Sequence, residues 1–351
     1  MRVVVVGASG NTGTSLLRAL ADDASVDSVL GVARRRPEAE FPKTEWAQAD
    51  IETSDLEPLF LGADVVVHLA WLIQPSHDLT RLWSVNVEGS TRLFQAVGRA
   101  GVPALVYASS VGAYSRGPKH EAVDESWPTD GISTSFYSRH KVEVERRLDR
   151  FEQERPGVRV VRLRPGLIFK REAASGVRRL FAGPFLVNPL LRPRLIPVVP
   201  KIPGLRFQAV HSHDVGQAYR LAATSDVRGA FNVAAEPVLD PREVGKVLGA
   251  RPVPVPAGLA RRFTAVTWRL HLQPTPPGWL DLALGVPVMD ITRAREELGW
   301  RPEWSAGDAL RDLLEGMSKG EGMETPPLAP GGGGPARVEE IRTGVGETEK
   351  L

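Results

Sequence analysis

Near its start the chain reads Arg2-Val3-Val4-Val5-Val6 and passes without a break into Gly7-Ala8-Ser9-Gly10-Asn11-Thr12-Gly13. No other stretch constrains the fold as tightly. An unbroken β-branched run suits a strand covered on both faces, the environment of a parallel sheet. The glycines allow a tight turn and a close approach of backbone to a ligand, and a helical pattern over 12–21 puts a helix N-terminus there. Partial positive charge at that terminus suits the pyrophosphate of a dinucleotide. The spacing is G-x-x-G-x-x-G rather than the commoner G-x-G-x-x-G, but the physical requirement is the same. Gly7, Ser9, Gly10, Asn11, Thr12 and Gly13 are therefore expected to bind a dinucleotide.

The alternation continues to about residue 165. Short runs at 28–33, 45–49, 64–69, 104–108 and 158–163 read as strands, and helical patterns lie at 79–99 and 136–155. That order predicts an α/β fold, a Rossmann-type doubly wound parallel sheet with crossover helices over residues 1–165. Residues 166–317 are richer in proline and less regular. They predict a smaller, mixed C-terminal substrate lobe interleaved with the core, parts of 205–235 returning to it. Within this lobe 165–205 reads as loop with short elements, 214–223 as helix and 230–233 as strand. Asp240-Pro241-Arg242-Glu243 is a helix start, with Asp at the N-cap and Pro in the first turn. An amphipathic helix over 257–272 carries Arg261, Arg262 and Arg269. A solvated edge of the lobe is its first reading, a lipid or partner contact its second. Residues 318–351 are charged and rich in proline and glycine, too poor in apolar surface to offset the entropy of ordering. They are expected to form a disordered tail.

Composition removes several function classes. There is no cysteine, hence no disulfide, thiolate metal ligand or cysteine nucleophile, and no metal site is expected. A formal net charge of +2 gives no reason to expect nucleic acid as a partner. No apolar run reaches the roughly 18 residues of a membrane span, and no signal-peptide pattern is evident. A cytoplasmic enzyme with a small-molecule substrate is expected, a homodimer being one possible assembly.

Two further stretches carry chemistry. Val29-Leu30-Gly31-Val32 runs into Ala33-Arg34-Arg35-Arg36, where a site for NAD would place an acid against the ribose 2′-hydroxyl. Arg34 and Arg35 instead suit a 2′-phosphate, so NADP is the expected cofactor and NAD the alternative. Farther on, Tyr137 and Lys141 stand four apart in a helical pattern and share a face. A cation beside a phenol lowers the phenol's pKa from about 10, as a general acid/base near neutral pH requires.

More motifs fall in order: Asp50-Ile51 after the third strand, His68-Leu69-Ala70 closing the fourth, and Asn86-Val87-Glu88-Gly89 in the long helix. Ser109-Ser110 follows a strand, then come Arg164-Pro165, His211 with Asp214-Val215, and Leu298-Gly299-Trp300-Arg301-Pro302. Over residues 1 to about 315 the chain resembles an extended short-chain dehydrogenase/reductase of the NAD-dependent epimerase/dehydratase family. That resemblance implies a catalytic set of Asn86, Ser110, Tyr137 and Lys141. Ser110 would hydrogen-bond the substrate oxygen and Tyr137 would exchange its proton. Lys141 would hold the nicotinamide ribose, and Asn86 would fix the local backbone. The cofactor would also meet Asp50 and Ile51 on the adenine side, and Leu69 and Ala70. Spacing to Tyr114 favours Ser110 over Ser109, which reads as structural. His140 reads as a helix-surface histidine, and His211 as closing a structural hydrogen bond.

Departures from the family pattern narrow the reaction. Sugar-nucleotide dehydratases resemble one another in an Asp-Glu pair after the catalytic hydroxyl residue; here Val111 and Gly112 stand there. Gly166 replaces an Asn on the diphosphate side, and Phe207 replaces an Arg, with Arg206 adjacent. Trp71-Leu72-Ile73 adds apolar surface beside the fourth strand. The leading expectation is hydride transfer between a nicotinamide and a small or hydrophobic alcohol or ketone. A sugar-nucleotide 4-epimerase is the alternative, and a non-catalytic dinucleotide-sensing protein the third reading.

Overall fold

The structure is a computed structural model that describes residues 1–73, 78–181, 196–270, 272–273 and 275–330. Its strands β1 (Arg2–Val6), β2 (Ser28–Ala33), β3 (Thr44–Gln48), β4 (Val65–His68), β5 (Ala104–Ala108), β6 (Arg159–Pro165) and β7 (Gly229–Val233) form a seven-stranded sheet. The order is β7-β6-β5-β4-β1-β2-β3, with parallel pairing throughout. Side chains alternate across a strand, and the valines of β1 divide accordingly. Val3 and Val5 enter the core that holds Leu16, Leu20 and Tyr219; Val4 and Val6 enter the one that holds Leu93, Val97 and Phe151. Both faces are thus covered, which is why β1 tolerates no polar residue between Val3 and Val6.

The order reverses between β1 and β4, so the connections leaving these two strands diverge and open a crevice at their carboxyl ends. Helix α1 (Asn11–Ala21) leaves β1 on one side. On the other, the chain after β4 leads to Leu79–Trp83, a π-helical turn Ser84–Glu88 and helix α2 (Gly89–Arg99). The continuous helix expected over 79–99 is therefore interrupted, and the wide turn falls at Asn86. Helix α3 (Phe136–Glu154) follows β5 and is capped by Ser135, whose side chain accepts from the Ser138 N–H. Helix α4 (Ser212–Thr224) lies against α1 at glycine distance: a Cβ on Gly216 would stand 2.7 Å from the Ser15 backbone.

The later part is more ordered than its proline content suggests. Leu167–Phe169, Phe207–His211 and Ala235–Leu239 form a three-stranded sheet, and Val198–Lys201 pairs with Arg251–Pro254. The short elements expected within 165–205 include strands whose partners lie far off in sequence; residues 182–195 lie outside the described residues. Asp240 caps the helix Pro241–Leu248 through the N–H groups of Arg242 and Glu243. Helices α5 (Ala257–Arg269), α6 (Pro277–Gly285) and α7 (Ala306–Lys319) complete the lobe.

The boundary of the expected tail moves. Helix α7 runs past Ser318, ends at Gly320 in left-handed conformation, and the chain folds back. Leu328 and Thr325 are buried at 3% and 1% exposure, Met323 packs on the main core, and Ser175 donates to the Ala329 carbonyl. A few apolar side chains and local hydrogen bonds offset the ordering cost that composition emphasised. Residues 331–351 lie outside the described residues. Among the described residues no helix is long and apolar enough to cross a membrane.

Candidate active site

The glycine turn after β1 is built to approach other backbone. Gly7 has φ +87°, and a Cβ there would lie 2.6 Å from the Ala70 nitrogen; one on Gly13 would lie 2.4 Å from the Ala8 carbonyl oxygen. Gly10 is the N-cap of α1 and lends it no side-chain oxygen, so the first N–H groups of the helix face outward for an anion. The Asn11 Oδ1 is buried without a hydrogen-bond partner among the described residues. Lys170 adds positive charge beneath the same turn, its Nζ donating to the Asn11 carbonyl (2.9 Å) and the Thr14 hydroxyl (2.6 Å). Burial lowers its pKa to about 8. A cradle of bare backbone at a helix N-terminus, with a lysine below, fits the diphosphate of a dinucleotide.

Other expected cofactor residues border this crevice. Leu69 and Ala70 form its β4 side, the Leu69 N–H bonding the Val6 carbonyl. Asp50 turns the chain after β3 by accepting from the Glu52 N–H (2.9 Å), and Ile51 is buried beside Gly89. Arg34 is half-buried and Arg35 exposed at the end of β2. Ser9 is buried at the turn.

The expected catalytic residues converge at the ends of β4 and β5. Ser110 caps the short turn Val111–Ala113, its Oγ accepting from the Gly112 N–H at 3.0 Å. Ser138 ties α3 to this turn, donating to the Gly112 carbonyl (2.6 Å) and accepting from the Ile132 N–H (2.7 Å). This fixes Tyr137 against the serine. Burial raises the Tyr137 pKa to about 12, against an opposing hydrogen bond with Ser110. Gly112 is sterically required: a Cβ would stand 2.9 Å from the Tyr137 ring.

Lys141 does not act on the phenol in the expected way. Its Nζ donates to the Ala108 carbonyl at 2.7 Å and sits 3.4 Å from the centre of the Trp71 ring, against 5.8 Å from the Tyr137 ring. The ammonium is itself pushed well below its ordinary pKa by burial. Desolvation therefore sets the direction for Tyr137, and the phenol shifts up rather than down.

Asn86 is fully buried and clasps the strip after Trp71, accepting from the Leu72 N–H (2.7 Å) and donating to its carbonyl (2.9 Å). The neighbouring serine has another task. Ser109 donates to Glu145, which Arg164 grips with two bonds of 2.9 and 2.6 Å. Arg164 also reaches the Tyr114 hydroxyl (3.0 Å). Burial works to raise the Glu145 carboxyl, but Arg164 and Arg162 outweigh it and hold it below its usual range. His140 is not on the helix surface. It is buried between Trp83 and Phe136, with its pKa lowered to about 4 by burial. His211 stacks on Trp304 and contacts Asp312 at 3.3 Å, away from this cluster.

What most distinguishes the site is aromatic. The Tyr137 ring lies 5.0 Å from the Trp279 ring at 32° and meets Trp71 edge-on at 6.0 Å. Trp71 carried a signal in its apolar neighbours after His68-Leu69-Ala70. Trp279 and Lys170 were missed: Trp279 lies in a proline-rich run without a motif, and Lys170 becomes visible only when β6 brings the segment after it under α1. Gly166 is also explained by packing, since a Cβ there would stand 2.5 Å from the Gln208 carbonyl oxygen.

Residues 3–234 match the model of the NAD dependent epimerase/dehydratase family. The chain is 28% identical over 317 residues to an uncharacterized protein of Mycobacterium tuberculosis, a match that takes in 89% of this chain and 30% of that protein. The chain thus spans about 30% of the length of that curated relative. It is 26% identical over 342 residues to the 3 beta-hydroxysteroid dehydrogenase/Delta 5-->4-isomerase of Mycobacterium tuberculosis, with 89% of each covered. The solved UDP-glucose 4-epimerase of Thermus thermophilus, in complex with NAD, aligns at a TM-score of 0.67 and 21% identity, covering 90% of this chain and 99% of that one. At that identity the likeness concerns the fold.

Proposed function

The chain belongs to the NAD-dependent epimerase/dehydratase family, and on that premise we propose that it is a nicotinamide-dependent dehydrogenase/reductase of a small or hydrophobic alcohol or ketone. The observation that carries this reading is the enclosure of Tyr137 by Trp71 and Trp279 beside an intact Ser110 and Lys141. Indole faces reward apolar surface and offer little to a diphosphate. Gly166 and Phe207 add no donor where sugar-nucleotide enzymes have them, and burying a diphosphate without paired donors is costly. A relative at 26% identity bears the name of a hydroxysteroid dehydrogenase, an enzyme of an apolar ring alcohol.

Gly7, Ser9, Gly10, Asn11, Thr12 and Gly13 would hold the cofactor diphosphate, with Asp50, Ile51, Leu69 and Ala70 around it. Arg34 and Arg35, with no acid between Ala33 and Pro37, favour NADP over NAD. When bound, the nicotinamide supplies or accepts a hydride. Ser110 orients the substrate oxygen by hydrogen bonding. Tyr137, holding its proton up to a pKa of about 12, donates it to that oxygen in carbonyl reduction. In alcohol oxidation its phenolate takes a proton back, and Lys141 would hold the nicotinamide ribose. Asn86 keeps the Leu72 backbone, and so Trp71, in place. A homodimer remains part of this proposal.

The sugar-nucleotide 4-epimerase reading uses the same Ser110, Tyr137 and Lys141, and a non-catalytic sensor would not need both Tyr137 and Lys141. Calorimetry with uridine diphosphate in the presence of NADP separates the first two. Weak or no binding is expected. Micromolar affinity would put the epimerase reading first.

A further inference from the structure

Helix α5 contains no buried residue. Leu259, Phe263, Val266 and Leu270 are 61, 70, 54 and 62% exposed. Their spacing of four, three and four residues puts them in one line along the helix. Arg262 and Arg269, both exposed and seven residues apart, run along one flank of that line. The opposite side of the helix packs on α6, with Ala260, Thr264 and Trp268 half-buried and Arg261 bound to Asp281 at 2.8 and 3.0 Å.

We propose that α5 is a membrane-docking element, which lies in the surface of an anionic bilayer with the Leu259–Phe263–Val266–Leu270 line inserted and Arg262 and Arg269 against lipid phosphates. Charge selects this occupant. Between Glu243 and Asp281 the chain has no Asp or Glu; Lys246 pairs with Glu243 and Arg261 with Asp281, and Arg251, Arg262 and Arg269 add positive charge. Two-fold pairing with a second copy would set Arg262 and Arg269 against their own copies, whereas an anionic surface complements them. A helix with one apolar line and a basic flank has the properties of an interfacial helix. Its length of 13 residues is too short to cross a bilayer, so the attachment is peripheral. The docking rests on the helix itself and holds whichever alcohol is turned over. It nevertheless has a consequence for the site, because α6 lies between α5 and Tyr137 and carries the Trp279 that stacks on the tyrosine. The aromatic enclosure would sit one helix away from the lipid, from which an apolar substrate partitions.

Flotation of the purified full chain tests this. It is mixed with vesicles of phosphatidylcholine, or of phosphatidylcholine with phosphatidylglycerol, at low and high salt. The protein should float with the phosphatidylglycerol vesicles and less so as salt rises. Phe263→Glu with Leu270→Glu should lower the bound fraction by about tenfold or more, while Arg262→Gln with Arg269→Gln should remove the preference for anionic lipid. Phe263→Leu should still bind, and circular dichroism should match wild type in every variant because these side chains are exposed. A wild type that stays unbound to both vesicles would overturn the proposal. So would a dimer in light scattering that Phe263→Glu converts to a monomer, since the apolar line would then belong to a second copy.

Discussion

Lys141 keeps an ammonium at 3% exposure against a backbone carbonyl and the Trp71 face. Burial disfavours that charge, so the folded chain releases the proton below the ordinary 10.5. Between the lowered value and 10.5 the unfolded chain binds more protons, and stability rises with pH across that window. Replacing the charge by an apolar side chain of similar length removes the penalty. Lys141→Met should therefore flatten the pH dependence of stability across that window, while turnover falls by a factor on the order of 10². Denaturant melts at several pH values, with steady-state rates, check both. The Tyr137–Lys141 pair was legible as an i,i+4 spacing, and Ser109 was legible as structural. The direction of the Tyr137 shift was not, because it depends on the rings around it. Trp279 arrives from 142 positions along the chain, and no local pattern announces it. His140 was misplaced for a related reason: Phe136 is its i,i+4 neighbour on α3, but the Trp83 ring that completes its cover arrives only when the helices pack.

Elements built by local rules were readable. Strands β1, β2 and β5 fall where their apolar runs lie, and the Asp240 cap marks its helix, since these depend on periodicity and short-range hydrogen bonds. The strands Leu167–Phe169 and Ala235–Leu239 were not read. They are short, and their stability comes from pairing with Phe207–His211, at a separation that sequence windows do not span. The break in the 79–99 helix is a third kind of case. Its π-turn holds Asn86 where it bonds the Leu72 backbone, a tertiary contact that helix propensity does not foresee. The segment after α7 shows how little apolar surface can anchor a strand of chain. Leu328→Ala should destabilise the protein by about 2 kcal/mol or more, measurable as a lower denaturation midpoint. No change would mean that residues 320–330 contribute nothing to the fold.

On the scale of the whole molecule, topology gathers the chemistry. The reversal between β1 and β4 opens the crevice that the glycine turn borders, and the ends of β4 and β5 bring Trp71, Ser110 and Tyr137 to its rim. This much followed from the order of Val-rich runs and helices. The shape of the substrate enclosure did not, since α6 comes from the proline-rich part. The proposed preference for NADP rests on residues at the end of β2. Arg34→Ala with Arg35→Ala should weaken NADP binding by about tenfold or more and leave NAD nearly unchanged, as expected for charged bonds to a single phosphate. Fluorescence titration with both cofactors checks it, and equal losses for both would show that the arginines do not read the phosphate. Net hydride transfer to an apolar substrate is the reaction proposed for this site. Cofactor absorbance, followed with a series of apolar ketones and with uridine diphosphate sugars, measures it in wild type and in Tyr137→Phe. Stoichiometric oxidation of the reduced cofactor by a ketone is expected, slowed by a factor on the order of 10² in Tyr137→Phe while cofactor still binds. Interconversion of sugar-nucleotide epimers without net cofactor oxidation, or ketone reduction untouched in Tyr137→Phe, would contradict it.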